Sequence, residues 1–176
     1  MTRIPTHTVE DAPAASRQLL EEIVQSTPGG RPANLHAQMA HSPAVLTAYS
    51  SLRAALAEHT TFDPKVGAAL TLAAAAGVDN PYMLRVAGRL AQMNGWTEGE
   101  VTALQAGAAT GDGKIGALAG LVREAAGNSG NVADAAWNAT QRAGWSDTQL
   151  ADAFGDIGAT VFTGYFLNYA QTDLDV

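Results

Sequence analysis

The segment from Asp63 to Glu100 constrains the fold most, because signals that start and stop helices bracket two apolar stretches within it. Asp63-Pro64 places an N-cap residue directly before a proline, and Asn80-Pro81 repeats that arrangement at the next stretch. Gly95 follows the second stretch, where glycine suits the left-handed conformation that ends a helix. Thr97 to Glu100 then has the spacing of a capping box. The segment therefore predicts two consecutive helices and the start of a third.

Glycine and proline divide the rest of the chain into further predicted helices. The hydrophobic fraction is 47%, and Ala contributes more of it than Ile, Val and Phe do, which favours closely packed helices. The predicted class is all-α, with one domain over residues 1–176 in which residues 1–30 form a peripheral N-terminal arm and helix. The additional predicted helices span Thr8 to Ser26, Pro43 to the loop before Asp63, Lys114 to Gly127, Val132 to Arg142 and Thr148 to Tyr169.

One short pattern occurs twice. Gly95-Trp96-Thr97, with Glu100 completing a capping box, corresponds to Gly144-Trp145-Ser146, with Gln149 in the matching position. Any helix–turn–helix can converge on such capping chemistry, but the shared Trp after Gly favours a real structural repeat.

Composition excludes several classes of partner. The net charge is −7 with no basic cluster, so a nucleic-acid partner is not expected. No apolar run approaches the length of a membrane span, and the N-terminus lacks the apolar core of a secretory signal. The absence of Cys excludes disulfides and is compatible with a cytoplasmic protein.

The helix-start and capping residues resemble the core of the carboxymuconolactone decarboxylase and alkylhydroperoxidase D superfamily. Members begin one helix with Asp-Pro-Lys/Arg, place a Glu one turn later, carry Cys-x-Tyr-Cys-x-x-x-His at the next helix, and continue with Gly-Leu/Trp-Ser/Thr-Glu. The ending Thr163 to Asp175 is similar to the family ending Thr-Asn-Tyr-Phe-Asn-His-x-Ala-x-Thr-Glu/Asp-x-Asp. The resemblance implies AhpD-like helical hairpins. Matching positions in the first pattern are Asp63, Pro64, Lys65, Tyr82, Gly95, Trp96, Thr97 and Glu98.

The residues that carry the chemistry of that pattern are replaced. The Glu position holds Ala68, the two Cys positions hold Asn80 and Met83, and the His position holds Ala87. Thiol peroxidases need a reactive thiolate, a second thiol and a base, and a thioether replaces none of them. Cys-dependent peroxidase chemistry is therefore excluded for this chain. The resemblance implies that these four positions line a pocket with Asn168, which stands where the family ending has His.

Four other residues are candidates for acid–base catalysis or substrate binding. His36 and His41 flank the start of the Pro43 helix, in a segment that the resemblance places near the pocket, and either could exchange protons near neutral pH. Tyr82 could donate a hydrogen bond, and Arg85 could bind a carboxylate. The alternatives are surface histidines, a packed tyrosine, and a solvated stripe that Arg85 shares with Arg89. No metal-ligand spacing occurs, and no cofactor is expected.

Three hypotheses for function follow. The first is a cofactor-free lyase, decarboxylase or isomerase that acts on a small organic acid or carbonyl compound. The second is a non-catalytic binding or scaffolding homologue, and the third is a peroxide-handling protein that needs a partner's thiol. The last predicted helix is apolar on nearly all faces, so it is expected to be buried inside the monomer or between subunits. With the resemblance, this predicts a homo-oligomer, either a trimer or a hexamer.

Overall fold

The described part of the chain is helical. The computed structural model describes residues 2–27 and 29–175, and these form helices without strands. Within the described residues, no helix combines the length and the apolar character needed to cross a bilayer. The all-α prediction is confirmed. The helices are α1 (Ala14–Gln25), α2 (Asn34–Met39), α3 (Pro43–His59), α4 (Pro64–Val78), α5 (Pro81–Met93), α6 (Glu98–Ala106), α7 (Gly113–Gly127), α8 (Asp134–Arg142) and α9 (Asp147–Ala170).

The predicted helix caps are present as hydrogen bonds. The side chain of Asp63 accepts from Val66 N at the start of α4, and that of Asn80 accepts from Met83 N at the start of α5. Thr97 and Glu100 form a complete capping box at α6. These bonds satisfy amides that have no partner within the helix itself, which explains the helix boundaries.

The first helix begins later than its apolar spacing predicts. Thr8 N donates to an Asp11 carboxylate oxygen at 2.7 Å, and Asp11 N donates to the Thr8 hydroxyl, so both side chains stabilise a local turn. Pro13 then disfavours helical geometry at the residue before it, and α1 starts at Ala14. The predicted start at Thr8 is therefore wrong.

The described residues fall into two compact units. One contains the residues as far as Ala55 together with those from Tyr165 onward, and the other extends from Leu56 to Gly164. Both boundaries lie within helices, in α3 and in α9. The single domain expected over residues 1–176 stays a prediction.

In the second unit, α4 forms the centre. Its side chains are buried from Ala68 through Ala75, and it packs most extensively against α7 and then against α5. Small residues allow a close approach: a Cβ at Gly77 would lie 2.5 Å from Arg123 O and 2.9 Å from the Ala126 Cβ. The Ala-rich composition thus serves close helix packing, as predicted.

The repeated pattern corresponds to repeated contacts. Trp96 Nε1 donates to Lys65 O, and Trp145 Nε1 donates to Lys114 O, both at 2.9 Å. Each lysine amine lies over the indole of the same pair, at 5.0 Å and 4.4 Å from the ring centroid. The two hydrogen bonds and the two cation–π contacts lie in the same register. The pair formed by α4 and the turn before α6 is therefore equivalent to the pair formed by α7 and the turn before α9, as the repeat predicts.

In the first unit, the N-terminal arm is bonded to other parts of that unit. Arg3 N donates to Ala170 O at 2.9 Å, His7 N donates to Ala37 O at 3.1 Å, and the Gln38 side chain donates to Ile4 O at 2.8 Å. These bonds attach the arm to α2 and to the end of α9.

Candidate functional site

His36 and Tyr49 form a polar pair in the first unit. His36 lies on the short helix α2 and Tyr49 on α3, and their Nε2 and Oη atoms are 3.2 Å apart. The ring centroids are 5.3 Å apart, with an angle of 54° between the ring planes. Both residues are half-buried. The pair therefore places an imidazole and a phenol in hydrogen-bond contact where solvent is restricted.

Burial determines the protonation state of both groups. Burial is the largest cause and the charge of Arg53 the second, and against an opposing effect of the Asp175 carboxylate they lower the pKa of His36 to about 4. Burial also raises the pKa of Tyr49, against a smaller lowering by Arg53. At neutral pH the imidazole is therefore neutral and the phenol keeps its proton.

The second ring nitrogen of His36 has no partner within the described residues. Nδ1 is buried and makes no hydrogen bond. A neutral imidazole carries one proton, so Nδ1 is either an unused donor or an unused acceptor. A buried polar atom without a partner costs about 1–3 kcal/mol, which makes it a notable feature of a folded chain.

The C-terminal tail contacts the start of α2. Asn34 N donates to an Asp175 carboxylate oxygen at 2.7 Å, and the Asn34 side chain donates to Asp173 O at 3.0 Å. Asp175 thus lies at the first residue of the helix that carries His36, which accounts for its influence on the pKa of that imidazole.

His41 belongs to a different cluster. Its Nδ1 lies 3.2 Å from His7 Nε2, and its Nε2 lies 2.9 Å from Pro5 O. His7 Nδ1 in turn lies 3.1 Å from an Asp11 carboxylate oxygen. Both ring nitrogens of His41 therefore contact the N-terminal arm, and the geometry assigns this histidine to holding that arm.

The four replaced motif positions are buried and carry no ionisable side chain. Ala68, Met83 and Ala87 are buried, and none of them carries an ionisable group. Asn80 is also buried, and its side chain caps α5. The residue that replaces the first thiol therefore has a structural role at the helix start.

The remaining predicted site residues lie in different environments. Tyr82 is buried on α5. Arg85 and Arg89 are both exposed on the same helix, which is the arrangement of a solvated stripe. Asn168 is exposed near the end of α9, where its backbone oxygen accepts from the Gln171 side chain at 2.9 Å. His36, His41 and Asn168 belong to the first unit, and the other predicted site residues belong to the second.

Sequence reasoning missed three residues of the His36 cluster, namely Tyr49, Arg53 and Asp175. Tyr49 lies on the apolar stripe of α3, where its spacing predicts packing rather than a polar contact. Only the turn between α2 and α3 brings Tyr49 to His36, and no local pattern encodes that contact.

Metal ligands are not grouped: within the described residues, no set of three or more His, Cys, Asp or Glu side chains could hold an ion.

No protein-family model and no curated protein sequence matches the chain. Solved structures do. One is the alkylhydroperoxidase AhpD core of an uncharacterized peroxidase-related protein from Ralstonia eutropha JMP134, with 15% identity, a TM-score of 0.83, and coverage of 99% of this chain and 92% of that one. Another is an uncharacterized peroxidase-related protein from Silicibacter sp. TM1040, with 15% identity, a TM-score of 0.78, and coverage of 100% and 96%.

A third similar structure is the debrominase Bmp8 in complex with 2,3,4-tribromopyrrole, with 11% identity, a TM-score of 0.78, and coverage of 93% and 89%. All three likenesses extend over nearly the whole of both chains, and at these identities they are likenesses of fold. The chain therefore has the AhpD-like helical fold, as its helix-start and capping residues predict.

Proposed function

We propose that this protein is a cofactor-free enzyme of the lyase, decarboxylase or isomerase type, acting on a small organic acid or carbonyl compound. The observation that carries the proposal is the neutral, half-buried imidazole of His36 with a buried, unpartnered Nδ1. Enolate-forming reactions need a hydrogen-bond donor that faces the carbonyl oxygen without being a strong acid itself.

His36 and Tyr49 supply such a donor in one arrangement of their protons. The phenol keeps its proton and donates it to His36 Nε2 across 3.2 Å, which leaves the imidazole proton on Nδ1. Nδ1–H then donates to a substrate carbonyl oxygen as negative charge develops there. The charge develops when carbon dioxide leaves the adjacent carbon and a proton from water takes its place, or when water accepts a proton from that carbon. A pKa near 4 makes His36 a weak base, so polarising a carbonyl suits it better than abstracting a proton.

The charged neighbours suit an acidic substrate. Arg53 is close enough to affect the titration of both His36 and Tyr49, and its guanidinium would attract a carboxylate towards them. Because Nδ1 is buried, a substrate reaches it only after a local opening. The similar-fold debrominase Bmp8, whose complex holds a small bromopyrrole, supports the expectation of a small organic ligand.

The test is a screen of small 2-oxo acids and unsaturated carboxylic acids against protein labelled with ¹⁵N in histidine. A ligand should shift the His36 ring signals and leave those of the exposed His59 unchanged. Turnover of that ligand should be lost in His36→Gln and retained in the matched control His59→Gln. If no compound shifts the His36 signals, or if His36→Gln turns over as fast as the parent protein, the proposal is wrong.

A non-catalytic binding homologue is the second candidate. The packing at Ala68, Met83 and Ala87 favours it, because the positions that carry chemistry in the family pattern hold no ionisable group. This candidate predicts ligand binding without turnover in the same screen. The third hypothesis, peroxide handling with a partner's thiol, predicts peroxide consumption above the buffer rate only when a dithiol protein is added.

A further inference from the structure

An open concavity surrounds Arg123 on α7 in the second unit, and none of the predicted site residues lines it. Its volume is about 470 Å³, and glycine dominates its walls. The lining residues that matter here are Gly77, Gly107, Gly120, Arg123, Glu124 and Gly127. A second, smaller hollow shares Gly107, Gly120 and Arg123, so the guanidinium borders both.

Arg123 is half-buried and held in one position. Its Nη1 donates to Ala106 O at 2.8 Å, at the end of α6. Gly107 makes this contact possible, because a Cβ there would collide with Nη1. Among the described residues the ion pairs involve histidines, so no carboxylate neutralises Arg123. Four of its five N–H groups therefore remain for an anionic group.

Glu124 places a negative charge at the same concavity. One of its carboxylate oxygens accepts from Ala133 N at 2.7 Å, and this bond fixes the side chain. Glu124 and Arg123 form no ion pair with each other, although they are neighbours in sequence and both line the concavity. The concavity thus presents one fixed positive group and one fixed negative group that are not paired.

Four of the residues that line the concavity are glycines. Gly77 and Gly127 are needed where α4 and α7 approach, since a Cβ at either would meet the opposing backbone. Gly120 is different, because a Cβ there would have no neighbour within 4 Å. A glycine in a helix interior destabilises the helix relative to Ala, and no close contact requires Gly120. Its absent side chain keeps the concavity open.

We propose that this concavity binds a small zwitterion of the free α-amino acid class. The guanidinium of Arg123 binds the carboxylate through its fork, and the carboxylate of Glu124 binds the ammonium group. A simple monoanion would satisfy Arg123 but would face the uncompensated charge of Glu124. The site is separate from the His36 cluster and does not depend on the function proposed for it.

The test uses the full chain, labelled with ¹⁵N, and follows the amide signals of Gly107, Gly120 and Gly127 in the presence of L-alanine, propionate or ethylammonium. L-Alanine should shift these signals saturably and bind more tightly than either single-charge probe. Glu124→Gln keeps an acceptor for Ala133 N and removes the charge. It should weaken L-alanine binding about tenfold and strengthen propionate binding, because the repulsive charge is gone.

Arg123→Gln should weaken the binding of both L-alanine and propionate, and Arg89→Gln, at an exposed position on α5, should affect neither. If Arg123→Gln fails to fold, Glu124→Gln still decides the matter, since its fold can be verified by thermal unfolding. The proposal is overturned if L-alanine causes no saturable shift at these glycines, or if Glu124→Gln binds it as tightly as the parent chain.

Discussion

The imidazole of His36 is uncharged at neutral pH, because its partial burial lowers its pKa. The difference between its ordinary pKa of 6.5 and its folded pKa of about 4 corresponds to about 3 kcal/mol of preference for the neutral form. Desolvation is the largest cause, and the nearby Arg53 adds to it. Asp175 opposes both effects without cancelling them, so the neutral ring is a property of the packing around it.

This pKa predicts how stability depends on pH. The folded pKa lies below the unfolded one, so between pH 6.5 and about 4 the unfolded chain binds more protons than the folded chain. The contribution of His36 is therefore complete above about pH 6.5 and falls by about 3 kcal/mol as the pH falls to 4. Urea unfolding of the parent chain and of His36→Gln at several pH values measures it.

The difference in unfolding free energy between those two proteins should change across this window, because the variant has no imidazole to titrate. His59→Gln is the matched control, since His59 is exposed. A constant difference between parent and His36→Gln from pH 7 to pH 4 would contradict the assignment.

The role of a single residue can be predicted from the sequence where that role depends only on neighbouring positions. The capping roles of Asp63 and Thr97 follow from a residue type and the two or three positions after it. The contact of His36 with Tyr49 joins two helices, and the exposure of Asn168 depends on which face of α9 is covered. Neither can be obtained from neighbouring residues.

Among the helices, the approach of α4 to α7 sets the packing of the second unit, and it depends on which α4 glycine faces α7. A Cβ at Gly77 would enter the backbone of α7, whereas a Cβ at Gly67 would have no neighbour within 4 Å. We expect Gly77→Ala to destabilise the protein by about 1–3 kcal/mol through overpacking. Gly67→Ala in the same helix should stabilise it by about 0.5–1 kcal/mol.

Denaturant unfolding of the two alanine variants measures this contrast, because each introduces the same methyl group into the same helix. Equal effects of the two substitutions would show that Gly77 is not at a close crossing.

The repeated indole contacts give a second prediction for the helices. Trp96→Phe and Trp145→Phe each remove one Nε1–H donor from a lysine carbonyl and keep most of the ring. Each should cost about 1 kcal/mol, and the two costs should be similar because the contacts are equivalent. Chemical unfolding of both variants tests the equivalence. A cost confined to one of the two would argue against a structural repeat.

The sequence predicts the presence of a helix more readily than the residues at which the helix begins and ends. The helices that begin at Pro43, Pro64 and Pro81 match the sequence signals, because proline and a capping residue act together there. The six-residue helix α2 escaped prediction, since it is too short to show a period. It is nevertheless the helix that carries His36.

For the whole molecule, the exposed apolar side chains of α9 indicate a larger assembly. The sequence predicts that this helix is buried inside the monomer or between subunits, yet several of its large apolar side chains are exposed in the single chain. By helical periodicity they share one face. The exposed residues are Phe154 (66%), Phe162 (36%), Tyr165 (56%) and Tyr169 (70%). Burial inside the monomer is therefore wrong for this face, and we propose that it packs between subunits.

We expect light scattering after size-exclusion chromatography to give a multiple of 18.1 kDa, corresponding to a trimer or a hexamer. Phe154→Glu should shift the protein towards the monomer, because it places a charge on the apolar face. Met93→Glu is the matched control, since Met93 is 84% exposed on α5. A parent protein of 18.1 kDa at micromolar concentration would refute the proposed assembly.

The AhpD-like helical fold of this chain has no thiol and holds a neutral histidine, His36, for which we propose a free Nδ1–H. Direct observation of the histidine ring nitrogens by ¹⁵N NMR, as a function of pH, tests it most directly. We expect one His36 tautomer, protonated on Nδ1 and unchanged from pH 8 to about pH 5, with titration centred near pH 4. A His36 ring that exchanges between tautomers and titrates near pH 6.5 would contradict the claim.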